Sequence, residues 1–438
     1  MAGTARSGTI STKQARIAEL AKIHRDAQTT LAHHMDLDWM REAFARTRKD
    51  GAVGIDGVTA DAYEANLDAN LMALLDRIKA GTYRAPPVRR VHIPKGDGSQ
   101  TRPIGIPTFE DKIAQRAILM LLEPIYEGDF CPFSYGFRPG RSAHQALEAL
   151  MKDARAFGGG WVLDVDVSKF FDTLDHEQLR ELLRKRVGDG VVVRMVGKWL
   201  NAGVLEGGVV HHADCGTPQG GVISPLLANI YLHEVLDLWW IKEVLPRLRG
   251  RASLVRYADD FVVVFSDHDD ALRVQEVLPK RFARFGLTLH PTKTRLVSFR
   301  VAGGGSSDEP PTPGSFDFLG FTHYWGRSRS GWPSIMRKTS SSRFSRGLKA
   351  LNLWMRGARH LPVAAQAATL AKKLRGHFGY YGIRGNSRGI NRYALAARVL
   401  WHKWLNRRSQ RRSLAWDAFN RLLERYPLPP ARLRRQAT

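Results

Sequence analysis

Two adjacent carboxylates, Asp259 and Asp260, lie between the apolar runs Leu254-Val255 and Phe261–Phe265. Taken alone, an Asp pair there has a bland reading, because aspartate tolerates turn geometry and solvent and often marks a hairpin turn. A third carboxylate adds weight to a chemical reading. Residues 161–167 form an apolar strand pattern carrying Asp164 and Asp166, followed by the bulky Phe170 and Phe171. Carboxylates from separate strands could hold two Mg2+ ions, hard cations that seek oxygen ligands. Such a pair lowers the pKa of an attacking hydroxyl and neutralises a departing pyrophosphate in phosphoryl transfer. Strand alternation puts Asp164 and Asp166 on one face.

The elements that must position these acids follow from pattern. Residues 88–94 and 102–107 read as two short strands around the turn at 95–99, a basic hairpin able to close over phosphates. Helical spacing is expected from about Thr12, over 36–49, 61–80, 111–125, 142–156, 176–187 and 225–240, and through most of 340–425. The first residues are small and polar and are expected to be mobile. A β-ribbon is expected around Gly203–His212, a strand-turn-strand at Leu254–Phe265 and another strand from Phe316. The stretch 302–311 has the composition of a flexible connection.

Composition limits the function classes. The chain has 438 residues and 43% hydrophobic content, enough for two or three domains with buried cores. No long apolar run or secretory start is present, so a cytoplasmic protein with no membrane partner is expected. Cys131 and Cys215 are too far apart in sequence, and without further Cys partners, to form a disulfide framework or zinc site. The net charge of +25 is unevenly distributed: residues 325–438 hold 26 Lys or Arg against Asp417 and Glu424, a net of +24. The first 324 residues are nearly balanced, at +1. A basic tail interleaved with Trp, Phe and Tyr suits a nucleic acid whose phosphates are neutralised and whose bases stack.

Six ordered blocks carry a family resemblance: Arg102–Pro107, Ser134–Ser142, Asp166–Asp172, Gly216–Asn229, Tyr257–Asp260 and Phe318–Phe321. Their order resembles that of group II intron-encoded reverse transcriptases and maturases, from about residue 35 into the C-terminal region. The resemblance implies an α+β fold, a right-hand polymerase whose fingers and palm carry an antiparallel sheet, followed by a helical, basic thumb or maturase domain. It implies an N-terminal extension over 1–35, fingers and palm over 36–324, a thumb or X domain over 325–400 and a basic extension over 401–438. The chain ends without the His- and Cys-rich endonuclease of many relatives, so DNA cleavage by the protein itself is not expected.

The implied activity is RNA-directed DNA polymerisation, with two Mg2+ ions, intron RNA as template, a DNA primer or target, and deoxynucleoside triphosphates as substrates. Asp166, Asp259 and Asp260 would form the acidic, metal-binding set, and Asp164 falls outside the family's motif. Lys95 and Arg102 would hold nucleotide phosphates, although two exposed cations are also the bland expectation. Phe171 would exclude a 2′-hydroxyl by bulk, with plain core packing as its competing role. Gln219 would contact the nucleotide through its amide, and Lys293 would lie near the phosphates. Phe318, Leu319 and Gly320 would support the primer strand. Residues 374–383 and 401–413 resemble the family's RNA-binding thumb or maturase region. A maturase with a decayed polymerase is the alternative, which the intact acidic set, Lys95, Arg102 and Gln219 argue against. A domesticated enzyme of repair or defence would share the same chemistry. An RNA-copying RNA polymerase is disfavoured by Phe171 and the C-terminal blocks.

Overall fold

The computed structural model describes residues 2–95, 100–211, 216, 220–300, 314–328, 330–409 and 413–434, without the side chains of 2–7, 95 and 100. Gln219, Cys215 and the turn at 96–99 therefore lie outside the described residues. The chain divides into two compact units, residues 1–157 with 161–296, and residues 158–160 with 297–438.

The first unit is built around the helix Phe109–Asp129. Its buried residues include Phe109, Ile113, Ala114, Ala117, Ile118, Leu121, Leu122 and Ile125, so the helix is apolar on most of its circumference and other elements cover it. Thr108 caps it by accepting from Asp111 N. The helix Leu37–Arg46, capped by Asp36, packs against it through Trp39, Met40 and Ala43. The first helix spans Ala2–Ile23, starting earlier than helical spacing from Thr12 suggests, and buries Ile10, Ile17 and Ala21 in the same core. Three apolar side chains seven and four residues apart anchor it from Ile10 onward.

Two sheets matter for the site. In the first, β1 (Val88–Lys95) and β2 (Gln100–Ile106) form the expected antiparallel hairpin. Beside β1 run β5 (Val204–Glu206) and β6 (Val209–His211), joined through Gly207 and Gly208, both at positive φ. In the second, β3 (Trp161–Val165) pairs with β8 (Asp260–Phe265), which pairs with β7 (Ala252–Tyr257), all antiparallel. The start of β10 (Arg295–Ser298) flanks β3. A two-strand pair, β4 (Val167–Ser168) with β9 (Thr288–Leu289), continues the chain just beyond β3. The central strands bury both faces, as in Val262, Val263, Val264 and Phe265.

The helix expected over 225–240 is α-helical only for Ser224–Leu232 and then passes through the π-helical segments His233–Asp237 and Trp240–Val244. Residues eight apart on an α-helix diverge by about 80°. The wider π turn reduces that divergence for Asn229 and Asp237.

The second unit contains an antiparallel sheet of β11 (Phe316–Phe318), β12 (Phe321–Arg327) and β13 (Pro333–Thr339). Helices Ser341–Ala358, Val363–Tyr381, Ser387–Asn406 and Trp416–Arg425 follow. The division between units falls at Leu296–Val297, whereas the charge boundary at 324/325 cuts through β12. The boundary at 400/401 likewise falls inside Ser387–Asn406. Trp401, Trp404, Phe378 and Phe419, aromatics whose interleaving with arginine suggests base stacking, are buried in this unit's own core. Trp401 Nε1 donates to Gln366 Oε1 and Trp404 Nε1 to Asn352 Oδ1, so both indoles are satisfied internally. Among the described residues no helix is long and apolar enough to cross a membrane.

Candidate active site

The turn between β7 and β8 is held in an unusual backbone state. Ala258 has φ 58°, in the left-handed region that disfavours a side chain. The segment 133–137 holds it there. Tyr135 N donates to Arg256 O at 2.9 Å, and Arg256 N donates to Phe133 O at 2.9 Å. Gly136 lies so close that a Cβ on it would sit 2.2 Å from Ala258 N. This close approach accounts for a glycine in the Tyr135-Gly136-Phe137 block.

Arg256 supplies a second brace from below. It is fully buried, with Nε 2.8 Å from Asp237 Oδ1 and Nη2 2.5 Å from Oδ2. Its Nη1 donates to Asn229 Oδ1 at 3.0 Å and to Ala258 O at 3.1 Å, and Asn229 Nδ2 donates to Gly136 O at 2.7 Å. The carbonyl of the left-handed residue and the carbonyl of the glycine against it are thus tied to one buried network. Burial would raise the Asp237 carboxyl, but the Arg256 and His233 side chains hold it below the ordinary carboxylate range. Cys131, His233 and Asp237 are close enough to share an ion. The Arg256 guanidinium already occupies that carboxylate, and burial pushes the Cys131 thiol up to about 11. Both facts disfavour a cation there.

Above this base lie the acids. Burial raises the Asp259 carboxyl above its ordinary value; the negative charge of Asp166 adds to the rise, and Arg102 and Arg256 oppose it. Asp259, Asp166 and Arg102 therefore share one electrostatic neighbourhood. Asp166 lies just past the end of β3, its carbonyl accepting from His290 N at 2.7 Å. Its carboxylate accepts from Lys293 Nζ at 3.0 Å. Asp164 pairs with Arg295 at 3.5 Å. The two acids thus meet two cations that are also two residues apart, and Asp164 is committed to an ion pair within the sheet. Asp260 is exposed at the first position of β8.

The hairpin register sets Ile93 opposite Arg102 and the backbone of Lys95 opposite Gln100, so positions 95 and 102 are diagonal neighbours on one face. Phe171 is half-buried and packs edge-on against the buried Phe170 at 5.4 Å. The short helix that carries it starts from Lys169 in the left-handed region, φ 45°. Two glycines frame the stretch that contains position 219. A Cβ on Gly216 would lie 2.9 Å from Asp172 O and 3.1 Å from Phe171 O, and one on Gly220 would lie 2.7 Å from Gly105 O. Both have positive φ. Gly216 is therefore set against the backbone of the Phe171 segment and Gly220 against β2.

Phe318, Leu319 and Gly320 belong to the second unit. Leu319 and Gly320, at φ 49° and 81°, form the tight turn between β11 and β12. Tyr380 OH donates to Leu319 O at 2.8 Å, and Phe321 stacks on Tyr380. The residues that sequence reasoning misses are those beneath the sites: Arg256, Asn229 and Asp237 under the acids, and Tyr380 under the turn. Asn229 and Tyr380 do fall in blocks that carry the family pattern, which is the available signal.

Comparison with known proteins agrees with this geometry. The family model described as reverse transcriptase (RNA-dependent DNA polymerase) matches residues 93–323, just over half the chain. Protein YkfC of Escherichia coli K12 is 38% identical over 258 residues, covering 52% of this chain and 68% of that protein. The group II intron-encoded protein LtrA of Lactococcus lactis is 42% identical over 180 residues, covering 41% of this chain and 30% of LtrA. Nuclear intron maturase 1 of Arabidopsis thaliana is 32% identical over 90 residues, 20% of this chain and 12% of that protein. The match thus spans about two-thirds of the first relative and under one-third of the others. With the acids, the basic hairpin and the turn in the family's order, the chain belongs to the reverse transcriptase (RNA-dependent DNA polymerase) family.

Proposed function

We propose that the chain extends a DNA primer on an intron RNA template, using Asp166, Asp259 and Asp260 as the ligands of two Mg2+ ions, and that it also binds the intron RNA to assist splicing and mobility. The observation that carries the reading is that the Asp259 carboxyl lies within the electrostatic reach of both Asp166 and Arg102. Two neighbouring carboxylates, one on the braced turn and one just past the end of β3, form an oxygen donor set suited to a hard divalent cation. Such ions supply activation of the primer 3′-hydroxyl and charge neutralisation at the transferring phosphate.

The chain's own groups do the rest. Arg102, with Lys95 on the same hairpin face, directs positive charge at the triphosphate as the 3′-oxygen attacks the α-phosphorus and pyrophosphate leaves. Lys293 holds the Asp166 carboxylate in place at 3.0 Å. Phe171 lies beneath the sugar, where its ring leaves no room for a 2′-hydroxyl, and Gln219 contacts the nucleotide from the strip between Gly216 and Gly220. Phe318, Leu319 and Gly320 support the primer. The second unit acts as thumb and maturase domain, the net charge of +24 over 325–438 drawing RNA phosphates to it. Support for the splicing role comes from the names of the intron-encoded relatives.

Asp259→Ala is expected to abolish primer extension on an RNA template while RNA affinity is retained. Mg2+ should raise the melting temperature of the wild-type chain and not that of Asp166→Asn combined with Asp259→Asn. Undiminished DNA synthesis by Asp259→Ala would overturn the assignment.

A further inference from the structure

We infer that a basic cleft on the first unit, sharing no lining residue with the acidic site, binds the phosphodiester backbone of RNA. The cleft has a volume of about 930 Å3 and lies between residues 81–87 and the helices His176–Arg184 and Gly190–Leu200. Among the described residues its charged lining is cationic: Arg84, Arg180, Arg184, Arg194 and Lys198. Arg180 and Arg184 are one helical turn apart, as are Arg194 and Lys198, so each helix contributes a cationic row. Glu177 and Glu181, on the first of these helices, are not part of the lining.

The five cations divide into braces and free groups. Lys198 Nζ donates to Gly81 O at 2.6 Å and Tyr83 O at 2.5 Å, fixing one wall, and Arg180 Nε donates to its own helix at His176 O. Arg84, Arg184 and Arg194 are exposed, and none pairs with a carboxylate among the described residues. Three uncommitted guanidiniums around an open groove of this volume exceed what one phosphate needs and suit a run of them, since the guanidinium fork matches phosphate oxygens. The overall balance of +1 in residues 1–324 conceals this local excess. The choice of RNA over other polyanions rests on the RNA-directed function proposed above.

The test uses the full chain carrying Arg184→Glu and Arg194→Glu. Binding of a fluorescein-labelled stem-loop RNA, and of duplex DNA of matching sequence, is measured over a salt series. Primer extension is measured in parallel on a short pre-annealed RNA template and DNA primer at saturating concentration. We expect roughly tenfold weaker RNA binding and a salt slope shallower by about 1.4–1.8, the share of two phosphate contacts. The extension rate should hold, and the matched reversal of Arg247 and Lys280 to Glu should change RNA affinity little. Unchanged RNA affinity and slope in a variant with the wild-type melting temperature would overturn the inference. So would equal losses in the matched reversal, an equal loss of DNA binding, or a parallel loss of extension rate. If the reversal does not fold, Arg184→Gln with Arg194→Gln carries the same test with about half the effect. A wild-type chain that fails to extend primers while the cleft variant loses RNA affinity would refute the polymerase reading and leave the cleft standing.

Discussion

Arg256 is adjacent in sequence to the turn that carries Asp259 and Asp260 and is fully buried, where its charge is matched by Asp237 and its remaining donors go to Asn229 and Ala258. Removing one member of a buried pair leaves an uncompensated charge, at a cost of about 3–5 kcal/mol. Arg256→Leu should therefore destabilise the chain by that order in urea unfolding. Adding Asp237→Leu should restore most of the stability, because two apolar side chains can replace a buried pair. Primer extension should stay low in the double variant, since Ala258 O has lost its donor; recovery of rate together with stability would show that the network only stabilises. The acids and the cations around them were legible as residue types, because Asp in a turn and Lys or Arg beside it keep their chemical meaning in any fold. Arg256 was not, since an arginine at a strand end reads as a surface cation until its partner, 19 residues earlier, is brought under it.

At the scale of elements, the site depends on backbones meeting where no side chain fits. Gly136 touches the turn, Gly216 the Phe171 segment and Gly220 strand β2. Gly136→Ala should push the turn away and lower the primer-extension rate by roughly 10²-fold, the scale expected for a displacement of about 1 Å at a reacting centre. Gly128→Ala, at a helical site with nothing within 4 Å, should leave the rate unchanged and add slight stability. Equal rates for the two variants would show that the close approach does not position the acids. Alternation and turn signals revealed both hairpins, because strand period and glycine turns are local properties. The π-helical run at His233–Asp237 was invisible, since it ends on Asp237, whose partner Arg256 lies 19 residues further along the chain and is marked by no local pattern.

Across the whole molecule, the second unit carries one buried and one half-buried histidine held neutral, His323 and His377. Burial, with the Arg337 charge adding to it, lowers His323 to about 3, and burial lowers His377 to about 4. His377 stacks on Tyr393 at 3.5 Å and 8°. Both values lie below the unfolded value of 6.5, so between roughly pH 6.5 and 4 the unfolded chain binds protons that the folded chain refuses. Stability contributed by the neutral rings is present above pH 6.5 and falls on acidification, by about 1.4 kcal/mol per pH unit for the fully buried His323 and by less for the partly exposed His377. Unfolding followed by the fluorescence of this unit's tryptophans should show that slope. His377→Phe should remove one ring's share; an unaltered slope would mean that His377 does not titrate in this way. The +24 of the C-terminal region was plain from composition, but composition could not separate the aromatics that build the core, such as Trp401, from exposed ones such as Trp332 and Trp416.

The ion pair under the turn also has a consequence for descent. A lineage that loses Arg256 alone inherits a buried orphan carboxylate, and one that loses Asp237 alone inherits a buried orphan cation; either first step costs about 3–5 kcal/mol of stability. Drift should therefore keep the two positions together, or replace both with apolar residues only in chains that have stopped copying. Tabulating positions 237 and 256 across relatives, beside the fate of Asp259, measures this directly: single losses common among chains that keep Asp259 would contradict it. The pair would then serve as a record of retired polymerases, readable where the acids themselves happen to survive.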